Sequence, residues 1–210
     1  MENLSFYSVI VINSVIGIRY CYLTVQKKIK PSLAMWVFFF IAMTGSLFSY
    51  LMEGNFSPLD NILNTSDILL VSSISLTILF FGDKSSLFNK FDLTCLGGVF
   101  VILLFWFFSK AHLATNLSLQ LIQAFAYIPV INRMWKAGEN TESFFTWILL
   151  FIVSAVSLLT AKGILAYIYS IRALMSVSIL LFLMMRIEIK QSRLNCDRKV
   201  FLKGAGENVE

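Results

Sequence analysis

Apolar residues run along this chain in windows of about twenty, separated by short polar or basic stretches. A helix crossing the hydrocarbon core of a bilayer needs roughly 20 such residues. The pattern therefore predicts an all-α integral membrane protein with seven transmembrane helices: Leu4–Leu23, Leu33–Met52, Leu59–Phe81, Leu93–Phe108, Leu113–Ile131, Phe144–Ala161 and Ile164–Met185. The fourth window is short, carries Gly97-Gly98 and also fits a re-entrant segment. Composition agrees with a bilayer: 58% of the 210 residues are hydrophobic and 14% charged, against about 45–50% and 25% in soluble domains. No stretch remains that builds a separate soluble catalytic core. The opening MENLSF lacks a basic n-region, so the first window is expected to stay as a helix rather than to be cleaved as a signal peptide.

Basic residues orient these spans. With seven crossings, thirteen fall on one side: Lys27, Lys28, Lys30, Lys84, Lys90, Arg133, Lys136 and six beyond Met185, against Lys110 and Lys162 on the other. Cytoplasmic flanks retain Lys and Arg, so the N-terminus is expected outside and the C-terminus in the cytoplasm. The net charge of +5 is thus a topology signal, and no nucleic-acid partner is expected. Residues 186–210, with six basic and four acidic side chains, suit weak attraction to anionic head groups and no more.

An internal offset of 111 residues lays Ser32-Leu33-Ala34-Met35-Trp36 on Ser143-Phe144-Phe145-Thr146-Trp147, and Ser46 on Ser157. Each segment follows a basic connector and opens an uncharged helix, with serine placed to cap it and tryptophan at interfacial depth. Two triplets of like orientation follow, joined by helix 4 as an inverting linker. In this 3+1+3 arrangement the first triple-helix repeat is 1–81, the linker with its loops 82–112, the second repeat 113–185 and the basic cytoplasmic tail 186–210. Parallel repeats of this kind frame a midplane site in many transporters.

With Tyr127-Ile128-Pro129 and a short basic connector ending helix 5 before Ser143 and Trp147, the chain resembles the PQ-loop superfamily. That superfamily includes the SWEET sugar transporters, their half-sized bacterial relatives and lysosomal amino-acid exporters. KIKPSLAMW, the Asp92 that opens helix 4, and AYIPVINRMWKAGENTESFFTW resemble a group of uncharacterised seven-span bacterial membrane proteins. The resemblance covers roughly residues 10–185. It implies alternating access between the two triplets, in a bacterial inner membrane. The Pro-Gln pair of the superfamily reads Pro129-Val130 in the second repeat, and Ile18 stands at the aligned place in the first. The substrate-facing asparagine of the sugar transporters matches Asn64, but Met175 occupies its partner position, so the resemblance does not carry sugar specificity. Half-sized relatives pair to form a pore; a chain with both halves suits a monomer or a homodimer.

Ionisable groups inside spans cost about 2.5–3.5 kcal/mol on insertion scales and usually face a partner or a cavity. Asp67 and Arg172 each lie eight residues inside helices 3 and 7, roughly 12 Å below the outer boundary at 1.5 Å per residue. They are expected to meet across the axis, either binding opposite charges of a solute or locking the halves together. Asn13 and Gln123 sit at similar depth; Asp60, Asn64 and Asp67 share one face of helix 3, and Gln120, Gln123 and Tyr127 one face of helix 5. The candidate substrate-binding set is Asp67, Arg172, Asn13, Asn64, Gln123, Tyr127 and Gln120, forming a hydrated pocket that opens outward. The same amides also suit interhelical hydrogen-bond glue. Asp60 is expected in water at the interface, and Arg19 is expected to snorkel to head groups. Pro129 kinks helix 5 and is a candidate hinge. Trp36, Trp106, Trp135 and Trp147 fall at span ends and are expected as interfacial anchors. His112 and the three cysteines lack metal-ligand spacing, and no nucleophile, phosphate-loop or zinc motif occurs, so neither an enzyme nor a cofactor is expected. The expected function is transport of a small polar or zwitterionic solute. The alternative is a membrane scaffold or sensor with a structural Asp–Arg pair.

Overall fold

Long runs of Leu, Ile, Val and Phe without internal proline leave the backbone one economical arrangement in lipid, the helix, because every amide there needs a partner within its own segment. The computed structural model describes residues 2–29, 31, 33–82, 90–128, 131, 134–135, 138, 140 and 142–206. Its helices are α1 (Glu2–Val25), α2 (Leu33–Glu53), α3 (Ile62–Phe81), α4 (Lys90–Ser109), α5 (His112–Phe125), α6 (Phe144–Ser157) and α7 (Ile164–Gly206), with a 3₁₀ turn over Pro58–Asn61. No strand occurs among the described residues. Four segments are long and apolar enough to cross a bilayer: Leu4–Val25, Met35–Glu53, Pro58–Phe81 and Ile164–Arg193. Leu96–Ser109 and Phe144–Ser157 are apolar but shorter.

Burial is distributed as lipid requires. Phe108, Phe80 and Phe182 are 79%, 73% and 68% exposed, whereas Asn64, Gln123 and Ser46 are fully enclosed. A soluble protein of this size does not present so continuous an apolar surface. The chain is a helical membrane protein whose amides and Asp67 are buried inside, while outward hydroxyls such as Ser14, Ser73 and Thr77 bond back to their own helix carbonyls.

The helix ends have local causes. α5 stops at Phe125, short of the expected Ile131: the Tyr127 N–H turns to the Ala124 carbonyl at 3.3 Å. Proline at 129 has no N–H to give the Phe125 carbonyl, and helical backbone resumes at Ile128, with the Ile131 N–H donating to the Tyr127 carbonyl at 3.0 Å. Pro129 itself, and with it the candidate hinge, lies outside the described residues. α6 closes at Ser157 in a tight turn over Leu158–Thr160, and Gly163 at φ 78° brings the chain back into α7. Ser143 occupies the first cap of α6 but makes no side-chain capping bond, contrary to expectation. α7 does not end at Met185. It continues through residues 186–206, because Arg, Lys, Glu, Gln and Leu are good helix formers and no Gly or Pro intervenes before Gly204. Its 43 residues span about 64 Å.

Packing pairs the helices in a repeating way. α3 lies between α1 and α2, and α7 between α5 and α6. Across the bundle α1 meets α6, α2 meets α5, and α4 rests on α5 and α2. Gly45 makes room on α2 for Leu103 of α4 and Leu119 of α5: a Cβ there would meet Leu103 Cδ2 at 2.8 Å and Leu119 Cδ1 at 3.2 Å. Phe38, Leu63, Ile74, Leu119 and Tyr169 fill the middle of the bundle. Trp147, Leu180 and Met184 pack toward the end that carries the Lys27-Lys28 connector, hereafter the basic end. Tyr50, Leu165 and Ala166 pack at the opposite end.

A candidate solute site between the helices

Asp67 is the deepest carboxylate and is held from two sides. Asn13 on α1 donates its Nδ2 to Oδ1 at 2.9 Å, and to Ser66 Oγ at 2.7 Å. Tyr169 on α7 donates its hydroxyl to Oδ2 at 2.8 Å. One turn along α7, Arg172 stacks its guanidinium 4.7 Å above the Tyr169 ring and donates Nε to Gln120 Oε1 at 2.9 Å. No hydrogen bond or ion pair joins Asp67 to Arg172. The expected direct pair is thus replaced by a relay in which Tyr169 gives its hydroxyl to the anion and its negative ring face to the cation. Each charge is solvated by neutral groups.

Asp67 and Arg172 line one cavity of about 50 Å³, room for a few water-sized groups at roughly 10–15 Å³ each. Its wall is a chain of rings: Tyr20 on Trp36 at 5.1 Å, Trp36 on Phe39 at 6.5 Å, Phe39 on Tyr127 at 5.5 Å and Tyr127 on Trp147 at 6.0 Å. Trp36 and Trp147, expected as surface anchors, are only 8% and 5% exposed. They are cavity walls, because each stands on the inward face of a helix, α2 or α6, packed against the opposite half. Trp135 is 59% exposed, with Arg186 over its ring at 5.1 Å, and Trp106 donates to His112 Nδ1 at 2.7 Å. Arg19, expected at head groups, lies 4.4 Å from the Phe145 ring.

The remaining predicted site residues divide. Tyr127 lines the cavity. Asn13 and Gln120 hold the two charged residues from behind. Asn64 is fully buried away from the cavity, its Nδ2 donating to Ser46 Oγ of α2 at 3.4 Å. Gln123 is also fully enclosed and is not part of the wall.

Small polar residues close the bundle beyond this level. Gln120 Nε2 donates to Ser46 Oγ at 2.7 Å, and Asn116 Nδ2 to the Ser46 carbonyl and Ser49 Oγ at 2.7 and 3.0 Å. In the second half Ser157 donates to Ser170 at 2.9 Å, so the two serines aligned by the 111-residue offset both anchor polar contacts. At the far end Lys162 Nζ pairs with Asp60 at 2.8 Å, its N–H donates to the Asp60 carbonyl at 3.0 Å, and Tyr50 Oη donates to the Lys162 carbonyl at 2.8 Å. Asp60 is therefore not simply in interfacial water: it ties the α2–α3 connector to the α6–α7 connector. The aromatic cavity extends from Asp67 and Arg172 toward the basic end, while a separate groove of about 600 Å³ between α1 and α3 takes in Asn13, Ser66 and Leu59.

Sequence reasoning missed Tyr169, Trp36, Trp147 and Thr146 as site residues. The like places of Trp36 and Trp147 near the starts of α2 and α6 were a usable signal, because inward-facing and interfacial positions there lie at the same depth.

Fold and site together define a polytopic helical membrane protein with an enclosed polar site in an aromatic cavity. No known family model, curated protein or solved structure matches the chain.

Proposed function

We propose that this protein is a SWEET/PQ-loop-like transporter that moves a small polar or zwitterionic solute by alternating access. In this account seven spans form a 3+1+3 bundle of two parallel triplets in a bacterial inner membrane, N-terminus outside and basic end in the cytoplasm. The observation that carries it is the shared cavity: an anion on α3 and a cation on α7 face one aromatic-walled space between the two halves. Helix packing supports the repeat, because exchanging α1, α2 and α3 for α5, α6 and α7 turns the α1–α6 contact into the α5–α2 contact. The present arrangement corresponds to a state closed at the Asp60–Lys162 end. A solute screen in proteoliposomes, with Asp67→Asn and Arg172→Ala as controls, tests the assignment. Uptake that both changes abolish supports it; uptake that neither affects refutes it.

One observation favours the alternative of a scaffold or sensor without transport. Both Asp67 oxygens and the Ser46 cluster are satisfied within the protein, as structural glue requires. On that account Asp67→Asn lowers stability, no solute protects the protein against heat, and deletion of residues 190–210 abolishes function.

A further inference from the structure

The polar atoms of the cavity wall fall into two sets. Asp67 is engaged by Asn13 and Tyr169, and Trp147 Nε1 donates to Glu142 at 3.4 Å. Three other atoms are buried without a partner: Arg172 Nη2 on α7, Trp36 Nε1 on α2 and Thr146 Oγ1 on α6. All three belong to residues of the wall, and Trp36 and Thr146 are 8% and 1% exposed. A buried polar atom left unsatisfied is costly and calls for a partner. Arg and Trp side chains only donate, and the hydroxyl donates as well as accepts. What these atoms lack is therefore an acceptor. Arg172 is permanently charged, and its contacts are a neutral amide and a ring. An anionic acceptor forms the strongest bond with a guanidinium N–H. The rest of the wall is mostly rings and aliphatic side chains such as Leu150 and Val153, with the hydroxyls of Tyr20, Tyr127 and Ser154 among them.

We propose that the cavity recognises the carboxylate of a compact monocarboxylic acid with an apolar body, of about two or three carbons once its two oxygens are counted at roughly 10–15 Å³ per water-sized group. Arg172 Nη2, Trp36 Nε1 and Thr146 Oγ1 donate to its two oxygens, and the rings enclose its alkyl part. Asp67 is then a positioning residue: it fixes Tyr169, whose ring supports the guanidinium. This specificity rests on the cavity being the solute site, and is independent of whether binding leads to transport.

Isothermal titration of the purified full-length protein in detergent tests it, with acetate and propionate against acetamide and propionamide, and with sodium chloride at matched ionic strength. The acids are expected to bind saturably and the isosteric amides at least about tenfold more weakly, the loss of one charge-assisted contact. Trp36→Phe removes the N–H and shrinks the buried indole to one ring, so some loss of Tm is expected with it; Thr146→Val keeps the shape, removes the hydroxyl and is expected to leave Tm nearly unchanged. Each is expected to weaken the acids about tenfold. Arg172→Gln is expected to abolish the preference for acid over amide. Equal binding of acids and amides, displacement of the acids by equimolar chloride, or unaltered affinity in both Trp36→Phe and Thr146→Val overturns the proposal. Flux in proteoliposomes separates the two claims. Binding of acids without flux defeats transport alone, and flux of a non-carboxylate solute without acid binding defeats the carboxylate site alone.

Discussion

Tyr169→Phe removes one hydroxyl and leaves the ring beneath Arg172, so it isolates the bond from α7 to Asp67. That bond is 2.8 Å long, Tyr169 is fully buried and Asp67 is 7% exposed, so bulk solvent does not supply a replacement donor. A hydrogen bond to a charged group contributes about 1.5–3 kcal/mol, and one between neutral groups about 0.5–1.5 kcal/mol. The substitution is therefore expected to cost about 2 kcal/mol in the native protein and about 1 kcal/mol in an Asp67→Asn background, a coupling of about 1 kcal/mol. For a chain of 150–250 residues, 2 kcal/mol lowers Tm by about 4–8 °C. Thermal unfolding in detergent micelles, followed by tryptophan fluorescence, measures both backgrounds. Tyr167→Phe, at a residue 44% exposed, is the control and is expected to stay within about 0.5 kcal/mol. Equal costs in the two backgrounds, or a Tyr169→Phe effect no larger than that of Tyr167→Phe, would refute the relay.

Three further outcomes follow from the same geometry. Gln120→Leu strips Arg172 Nε of its acceptor and is expected to cost about 2–3 kcal/mol, whereas Gln120→Leu with Arg172→Leu is less destabilising than Gln120→Leu alone, by denaturant titration, because no charge is left unpartnered. Gly163→Ala places a side chain at φ 78° with its Cβ 2.7 Å from Phe56, whose ring stacks on Tyr50; a loss of about 1–3 kcal/mol is expected, seen as a lower Tm. Lys162→Gln removes an ion pair whose lysine side chain is 64% exposed, so it costs no more than about 1 kcal/mol, and the difference from the native protein shrinks as added salt screens the pair.

Helix positions were legible because a bilayer imposes one length and one polarity on a spanning segment, and α2, α6 and α7 begin where the apolar windows begin. The end of α7 was not. The apolar window closes at Met185, but the helix depends on backbone propensity, which continues through the charged residues beyond it. Asp67 and Arg172 stood out by charge, and their facing a common cavity follows from equal depth on matched helices. The tyrosine between them did not stand out. One aromatic among many carries no mark in sequence, and its phase on α7 decides the contact. Trp36 and Trp147 were visible as a matched pair, but depth alone does not distinguish an inward ring from one in the interface. Asn64 and Gln123 share the polarity and depth of the true wall residues and differ only in helix rotation.

Alternating access requires the Asp60–Lys162 end to open, and Ser49 reports that opening directly. Ser49 is fully buried between that end and Gln120, and a thiol is a small change there. With Cys21, Cys95 and Cys196 replaced by serine, Ser49→Cys is combined with Asp60→Cys and Lys162→Cys, whose backbones already meet at 3.0 Å and suit a disulfide. A membrane-impermeant maleimide is applied to each face of sealed vesicles. The account predicts labelling of Ser49→Cys in the reduced protein from the face nearer the 60–162 contact, its loss on oxidation and its return on reduction. A thiol at 49 that stays unreactive from both faces in the reduced protein, or reacts equally when the ends are locked, contradicts it.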